Sequence, residues 1–100
     1  MVPLSVEARL RIEALFSNEE RDAVAKLLVE ECGDRLPLTD RAASGFWDRI
    51  RFAVLKLSEG DLERLKQEID GAKRDWRDTL VAAGFGDSVT AHESWFPVAR

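Results

Sequence analysis

Apolar residues recur at spacings of three and four along most of this chain, which is the pattern of helices with one buried side. The clearest example lies between Asp61 and Ala83, where the apolar residues fall on one stripe and charged residues occupy the remaining surface. The pattern predicts one long helix whose stripe is buried against the rest of the chain or against a partner. The stripe consists of Leu62, Leu65, Ile69, Ala72, Trp76, Leu80 and Ala83.

Two further helices are predicted upstream of the long one. Ser17 followed by Glu20 has the pattern of a capping box that opens a second helix. A third helix, capped by Thr39 or Asp40, is predicted to run to about Leu57. It is apolar on nearly all sides, so we expect it to be the most buried helix.

Capping residues also delimit the long helix. Ser58 followed by Asp61 repeats the capping-box pattern at its start, and Gly84 is typical of its end. Gly71 lies in its middle, where a local bend or a close helix contact is expected. The tail at 85–100 has no long period and is expected to dock on the bundle.

The first segment has two interpretations. Its apolar residues fit helical spacing, but Val6, Ala8, Leu10, Ile12 and Ala14 also alternate with polar residues, as in a strand. Its Glu, Ala, Arg and Leu content favours a helix. The sequence therefore predicts one all-α domain over residues 1–100, with about four helices and short connections. The alternative is an α+β fold in which 6–16 and 50–57 are strands.

Composition narrows the class of protein. Of the 100 residues, 45% are hydrophobic and 34% are charged, which is typical of a globular domain. The formal net charge of −4 argues against a nucleic-acid partner, since phosphate binding needs an excess of Lys and Arg. Its start does not resemble a signal peptide and no apolar run is long enough for a membrane span, so we expect a cytoplasmic protein with no membrane partner.

Catalytic and metal-binding patterns are weak. Cys32 is the only cysteine and His92 the only histidine, and Cys32 falls on an apolar stripe where a thiol is usually inert. No spacing matches paired Cys or His ligands of a zinc site. We therefore expect no catalytic residue, no metal and no cofactor. The protein is not expected to be an enzyme.

Aromatic residues give the strongest functional signal. Trp76 lies near the far end of the long stripe, Phe85 follows that helix, and Trp95 and Phe96 lie in the tail. Aromatic side chains are enriched where proteins bind one another, so these four residues form the candidate interface. One alternative is that these rings are structural, with Trp76 in the core and the tail aromatics capping the bundle. Another is a small-molecule pocket between helices, lined by Trp47 and Trp76.

The segments IRFAVLKLSEGDLERL and DWRDTLVAAGF, within residues 50–85, resemble short uncharacterised bacterial proteins with a domain of unknown function. That resemblance implies no activity, ligand or site residue. The sequence thus predicts a small, non-enzymatic helical module that binds a protein partner or forms a homo-oligomer. A small-molecule-binding regulatory domain is the alternative function.

Overall fold

Within the residues that the structure describes, the fold consists of four α-helices and one short 3₁₀ turn. The computed structural model describes residues 2–33, 36 and 45–97, and within those ranges it contains no strand. The all-α prediction is therefore confirmed, and both segments considered as strands are helical. The helices are α1 (Val6–Leu15), α2 (Arg21–Glu31), α3 (Phe46–Ser58) and α4 (Leu62–Ala83), followed by the 3₁₀ turn Ala91–Ser94.

Helix α3 lies at the centre of the packing. Every side chain from Ile50 to Leu55 is buried, as the apolar pattern on all sides of this helix predicts. It packs most extensively on α4 and also contacts α1 and the 3₁₀ turn, while α2 lies against α1 and α4. The third helix is therefore the core element, as expected.

Helix α3 begins later than its sequence predicts. Gly45 has a φ of +90°, a left-handed conformation that glycine adopts without steric cost, and helical geometry begins at Phe46. The predicted caps Thr39 and Asp40 lie outside the described residues.

The start of α2 also differs from the prediction. The capping box at Ser17 and Glu20 is wrong, because the chain makes a turn there and the helix begins at Arg21. The Arg21 side chain explains the turn, since it donates hydrogen bonds to the carbonyl oxygens of Glu13 (3.0 Å) and Phe16 (3.2 Å). It thereby satisfies carbonyl groups that the end of α1 leaves unpaired.

Asp61 and Gly84 delimit α4 as predicted, but the capping box with Ser58 is wrong. The Asp61 carboxylate accepts hydrogen bonds from two backbone N–H groups of the first turn. The Ser58 hydroxyl instead donates to the Leu55 carbonyl within α3. Gly84 ends the helix with a φ of +83°, so it is the predicted C-cap.

The long helix is broken at Asp75 and not bent at Gly71. Asp75 has extended backbone angles (φ −158°, ψ 97°), and its carboxylate accepts hydrogen bonds from the Arg77 backbone N–H (3.1 Å) and side chain (3.2 Å). Both hydrogen bonds lower the pKa of Asp75, and the bond from the Arg77 side chain has the larger effect. Asp75 therefore acts as an N-cap for a second helical segment that begins at Trp76.

The break turns the chain back toward α3. A straight helix of 22 residues is about 33 Å long, whereas the 13 residues of α3 span about 20 Å. An unbroken α4 starting beside Ser58 would carry Ala83 beyond the far end of α3. Instead, Trp76 contacts Phe46 at the start of α3, and the Ala83 carbonyl accepts a hydrogen bond from Lys56 near its end. The two parts of the apolar stripe therefore pack on α3 from different directions.

Arg51 is fully buried in the middle of α3. Its guanidinium donates hydrogen bonds to three backbone carbonyl oxygens, at 2.6, 2.9 and 2.9 Å. The acceptors belong to Val2, Pro3 and Cys32, so the bonds fasten the N-terminal segment and the end of α2 to the core helix. Hydrogen bonds from a charged donor are the strong ones in proteins, and they offset the cost of burying the charge.

Replacement of Arg51 tests this arrangement. Arg51→Met keeps an unbranched side chain but leaves three carbonyl groups without their donor, so we expect the free energy of unfolding in urea to fall by about 3 kcal/mol or more. The control is Arg64→Met, which removes an exposed ion pair with Glu68 on α4 and should cost less than about 1 kcal/mol. Equal losses in the two variants would contradict the role assigned to Arg51.

Candidate interaction surface

The segment that follows α4 is fastened to α1 by Arg11. The Arg11 guanidinium donates hydrogen bonds to the backbone carbonyls of Trp95 (3.0 Å) and Glu93 (3.3 Å). It also lies 4.2 Å from the centroid of the Phe52 ring and 5.1 Å from that of Phe96. Arg11 is 3% exposed, so its guanidinium makes these hydrogen bonds and ring contacts in the interior of the molecule.

Arg49 and Lys56 fasten the same segment to α3. Arg49 donates to the Phe85 carbonyl through Nε (3.2 Å) and Nη2 (2.6 Å), and Lys56 donates to the Ala83 carbonyl (2.8 Å). Together with Arg51, these residues are the basic side chains of α3. They are the part of the sequence that most resembles a phosphate-binding patch. All three bind backbone oxygens of this chain, which explains their positions without a nucleic acid.

Aromatic rings of the tail pack on α3 beneath these bonds. The His92 ring lies 5.3 Å from Phe52 and 6.3 Å from Phe85, both in edge-to-face geometry. The Trp95 ring lies 6.2 Å from Phe52 and 6.4 Å from Phe85. Residues 85–97 therefore cover one side of the core helix with a cluster of rings.

The four candidate interface residues have different environments. Phe85 is buried at 3% exposure, Trp95 is half-buried, and the Phe96 side chain is 47% exposed beside Arg11. Trp76 is half-buried and packs against another ring, Phe46, with centroids 4.9 Å apart. The structure brings Phe85, Trp95 and Phe96 together in the docked tail, and the assignment of all four to an interface stays a prediction.

A third ring packs against both Trp47 and Trp76, the two residues predicted to line a pocket between helices. Phe46 lies 5.3 Å from Trp47 and 4.9 Å from Trp76, centroid to centroid. Three surface grooves elsewhere have volumes of about 240, 340 and 400 Å³ and are lined largely by charged side chains. The smallest of them, between α2 and α4, contains the ion pair of Glu31 with Lys73.

The outer side of α1 carries an apolar surface that is not among the candidate sites predicted from the sequence. Val6 is 72% exposed and Leu10 is 43% exposed, while Ala8 and Ile12 on the opposite side are buried. The alternation of apolar and polar residues in this segment is the sequence pattern that indicates this surface. In a helix, such alternation places apolar residues on both sides.

Cys32 and His92 lie in separate apolar environments. Burial raises the pKa of the Cys32 thiol to about 12, against opposing effects of Arg51 and Lys73, so the thiol stays protonated at neutral pH. Burial also lowers the pKa of His92, and its Nδ1 atom has no hydrogen-bond partner among the described residues. Neither group has the environment of an activated nucleophile or base.

Metal sites and membrane spans need particular arrangements of side chains. Among residues 2–33, 36 and 45–97, no group of three or more His, Cys, Asp or Glu side chains is arranged to hold a metal ion. In the same part of the chain, no helix is both long and apolar enough to cross a lipid bilayer.

Phe85 and Phe96 provide a matched pair for testing which tail aromatic is structural. Phe85→Ala should lower the free energy of unfolding by about 3–5 kcal/mol, because it leaves a cavity in the core. Phe96→Ala should cost about 1 kcal/mol or less, since it removes a half-exposed ring and its contact with Arg11. Urea unfolding followed by circular dichroism measures both, and a larger loss for Phe96→Ala would contradict these placements.

His92 should make the stability of the protein depend on pH. Because its pKa is lowered on folding, the unfolded state binds more protons as the pH falls through about 6.5. The stabilisation is complete above that pH and is lost below it, toward the pKa of the folded state. Arg11 and Arg49 oppose protonation further, whereas Asp48 and Glu93 favour it.

The measurement compares the wild type with His92→Phe, which keeps a ring in the aromatic cluster. Free energies of unfolding are determined in urea at about pH 7.5 and pH 5.5. The wild type should lose more stability between these values than the variant does. An equal loss in both proteins would show that His92 is not the group responsible.

Comparison with known proteins does not assign a function to this surface. The chain matches no protein-family model, no curated protein and no solved structure. The resemblance of residues 50–85 to short bacterial proteins stays a prediction. The exposed side chains of the molecule are therefore the features that indicate what it binds.

Proposed function

We propose that this protein is a small, non-enzymatic, cytoplasmic protein-interaction module that binds a protein partner or a second copy of itself. One observation carries the proposal: large apolar side chains remain exposed on a fixed part of the fold. Phe96 is 47% exposed, and Val6 and Leu10 on the outer side of α1 are 72% and 43% exposed. Exposed apolar side chains that lie near one another are a feature of interaction sites.

The position of Phe96 is fixed by the bonds that dock the tail. Arg11 holds the carbonyl of the preceding residue, Trp95, and places its guanidinium between the Phe52 and Phe96 rings. A ring held in this way loses little conformational freedom when a partner covers it, which lowers the entropic cost of binding. Aromatic and Arg side chains are also the residues that dominate binding energy at interfaces.

An interaction role is better supported than a small-molecule site. Phe46 packs against both Trp47 and Trp76, and the grooves described above are lined mostly by charged side chains. Ligand pockets are typically apolar, with few polar groups. The protonated thiol of Cys32 likewise favours a non-enzymatic role, and a single cysteine suits the reducing cytoplasm.

A site-specific photo-cross-linker tests the proposal in cells. A benzophenone amino acid replaces Phe96 in one variant and Glu63 in a control, because the Glu63 side chain is 78% exposed on α4. Irradiation should give a discrete protein adduct at position 96 and a much weaker one at position 63. Mass spectrometry then identifies the adduct as another protein or as a second copy of this chain.

Both outcomes of this experiment are informative. A discrete adduct at position 96, with either type of partner, supports the interaction module. Irradiation that gives no adduct at position 96, or the same adducts at both positions, overturns it. Circular dichroism of each variant verifies that the helices are retained.

A further inference from the structure

The exposed apolar surface of α1 is a straight line of three residues. Val6, Leu10 and Ala14 are spaced by four, so they lie one above another on the same side of the helix. All three are exposed, while Ala8 and Ile12 on the opposite side face the core. We call this line the seam, and an exposed apolar surface of this kind is one that a second helix can cover.

Charged residues flank this line in a self-complementary order. Arg9 and Glu13 are exposed, lie four residues apart and share one flank of the line. When two identical helices pack in antiparallel directions, the same flanks meet, and the first part of one helix faces the last part of the other. Arg9 of each copy would then face Glu13 of the other, which forms two equivalent ion pairs.

The other flank carries no uncompensated charge. Glu7 is paired with Arg11 within α1, with Nη1 2.9 Å from the carboxylate oxygen. Phe96 lies over Arg11 on this flank, so its exposed ring extends the apolar surface beside the seam. An approaching copy of the helix therefore meets apolar side chains in the centre, complementary charges on one flank and a neutralised pair on the other.

We propose that α1 pairs with α1 of a second copy of this chain, antiparallel, about a two-fold axis level with residue 11, midway between Arg9 and Glu13. This inference rests on the proposed function and names its partner. A two-fold axis uses the same patch on both copies, so each favourable contact occurs twice. The order of charges fits an antiparallel pair, because reversing the direction of one helix places its Glu13 opposite Arg9 of the other copy.

Charge reversal tests the orientation and the partner together. Sedimentation velocity over a range of concentrations measures the dimer dissociation constant of the wild type, Arg9→Glu, Glu13→Arg and the double swap. Each single variant places like charges opposite each other twice per dimer and should weaken the dimer about tenfold or more. The double swap restores both pairs at the original net charge and should return the dissociation constant to near the wild-type value.

Mixing the two single variants gives an independent check. Arg9→Glu carries two acidic residues on this flank and Glu13→Arg carries two basic ones, so a dimer of one copy of each has both opposite-charge pairs. The mixture should dimerise more tightly than either variant alone. Leu10→Ser should weaken every dimer, because it removes the central apolar contact.

Two results would overturn the pairing. One is a wild type that stays monomeric at all concentrations, and the other is a double swap as weak as the single variants. A monomer whose position 96 cross-links to a different protein refutes self-pairing but leaves the proposed interaction module intact. Thermal melting of all variants verifies that these exposed substitutions leave the fold unchanged.

Discussion

The structure depends on the pairing of buried or half-buried arginine side chains with backbone carbonyl groups. A guanidinium has five N–H donors in a fixed plane, so it is stable in the interior only where several acceptors converge on it. Arg51 meets this condition with three carbonyls, and Arg11, Arg21 and Arg49 bind carbonyls at other junctions of the chain. These bonds join the segment before α1, the end of α2 and the segment after α4 to the helical core, and they add to the apolar contacts that those segments make.

The hydrophobic pattern predicted the helical class and the central position of α3, because burial of one side of a helix leaves a period in the sequence that no other element shares. The ends of α4 were predicted by its capping residues, Asp61 and Gly84. The same pattern was ambiguous for α1, and the structure gives the reason. Ala8 and Ile12 face the core while Val6 and Leu10 face outward, so apolar residues occur on both sides and produce the alternation of a strand. The ambiguity was itself a sign of a second, exposed surface.

Other features left no periodic signal. The break at Asp75 depends on a carboxylate that caps the next segment, and Asp occurs equally often on the exposed side of an unbroken helix. The burial of His92 depends on where the tail docks, which is set by distant residues. Arg51 did leave a signal, since a charge within the run from Ile50 to Leu55 on a helix buried all round must be satisfied internally. Its acceptors, however, lie 19 to 49 residues away.

The break in α4 also has a kinetic consequence. Residues 46–74 form a helical hairpin whose contacts are close in sequence, so little loop-closure entropy opposes their formation. Residues 76–97 pack on the same helix α3, and they are also held by α1 through the bond from Arg11 to Trp95, across 84 residues. We therefore expect the hairpin to form first and the contact between the tail and α1 to form later. A single aspartate thus separates a part of the molecule held by local contacts from one that also depends on distant contacts.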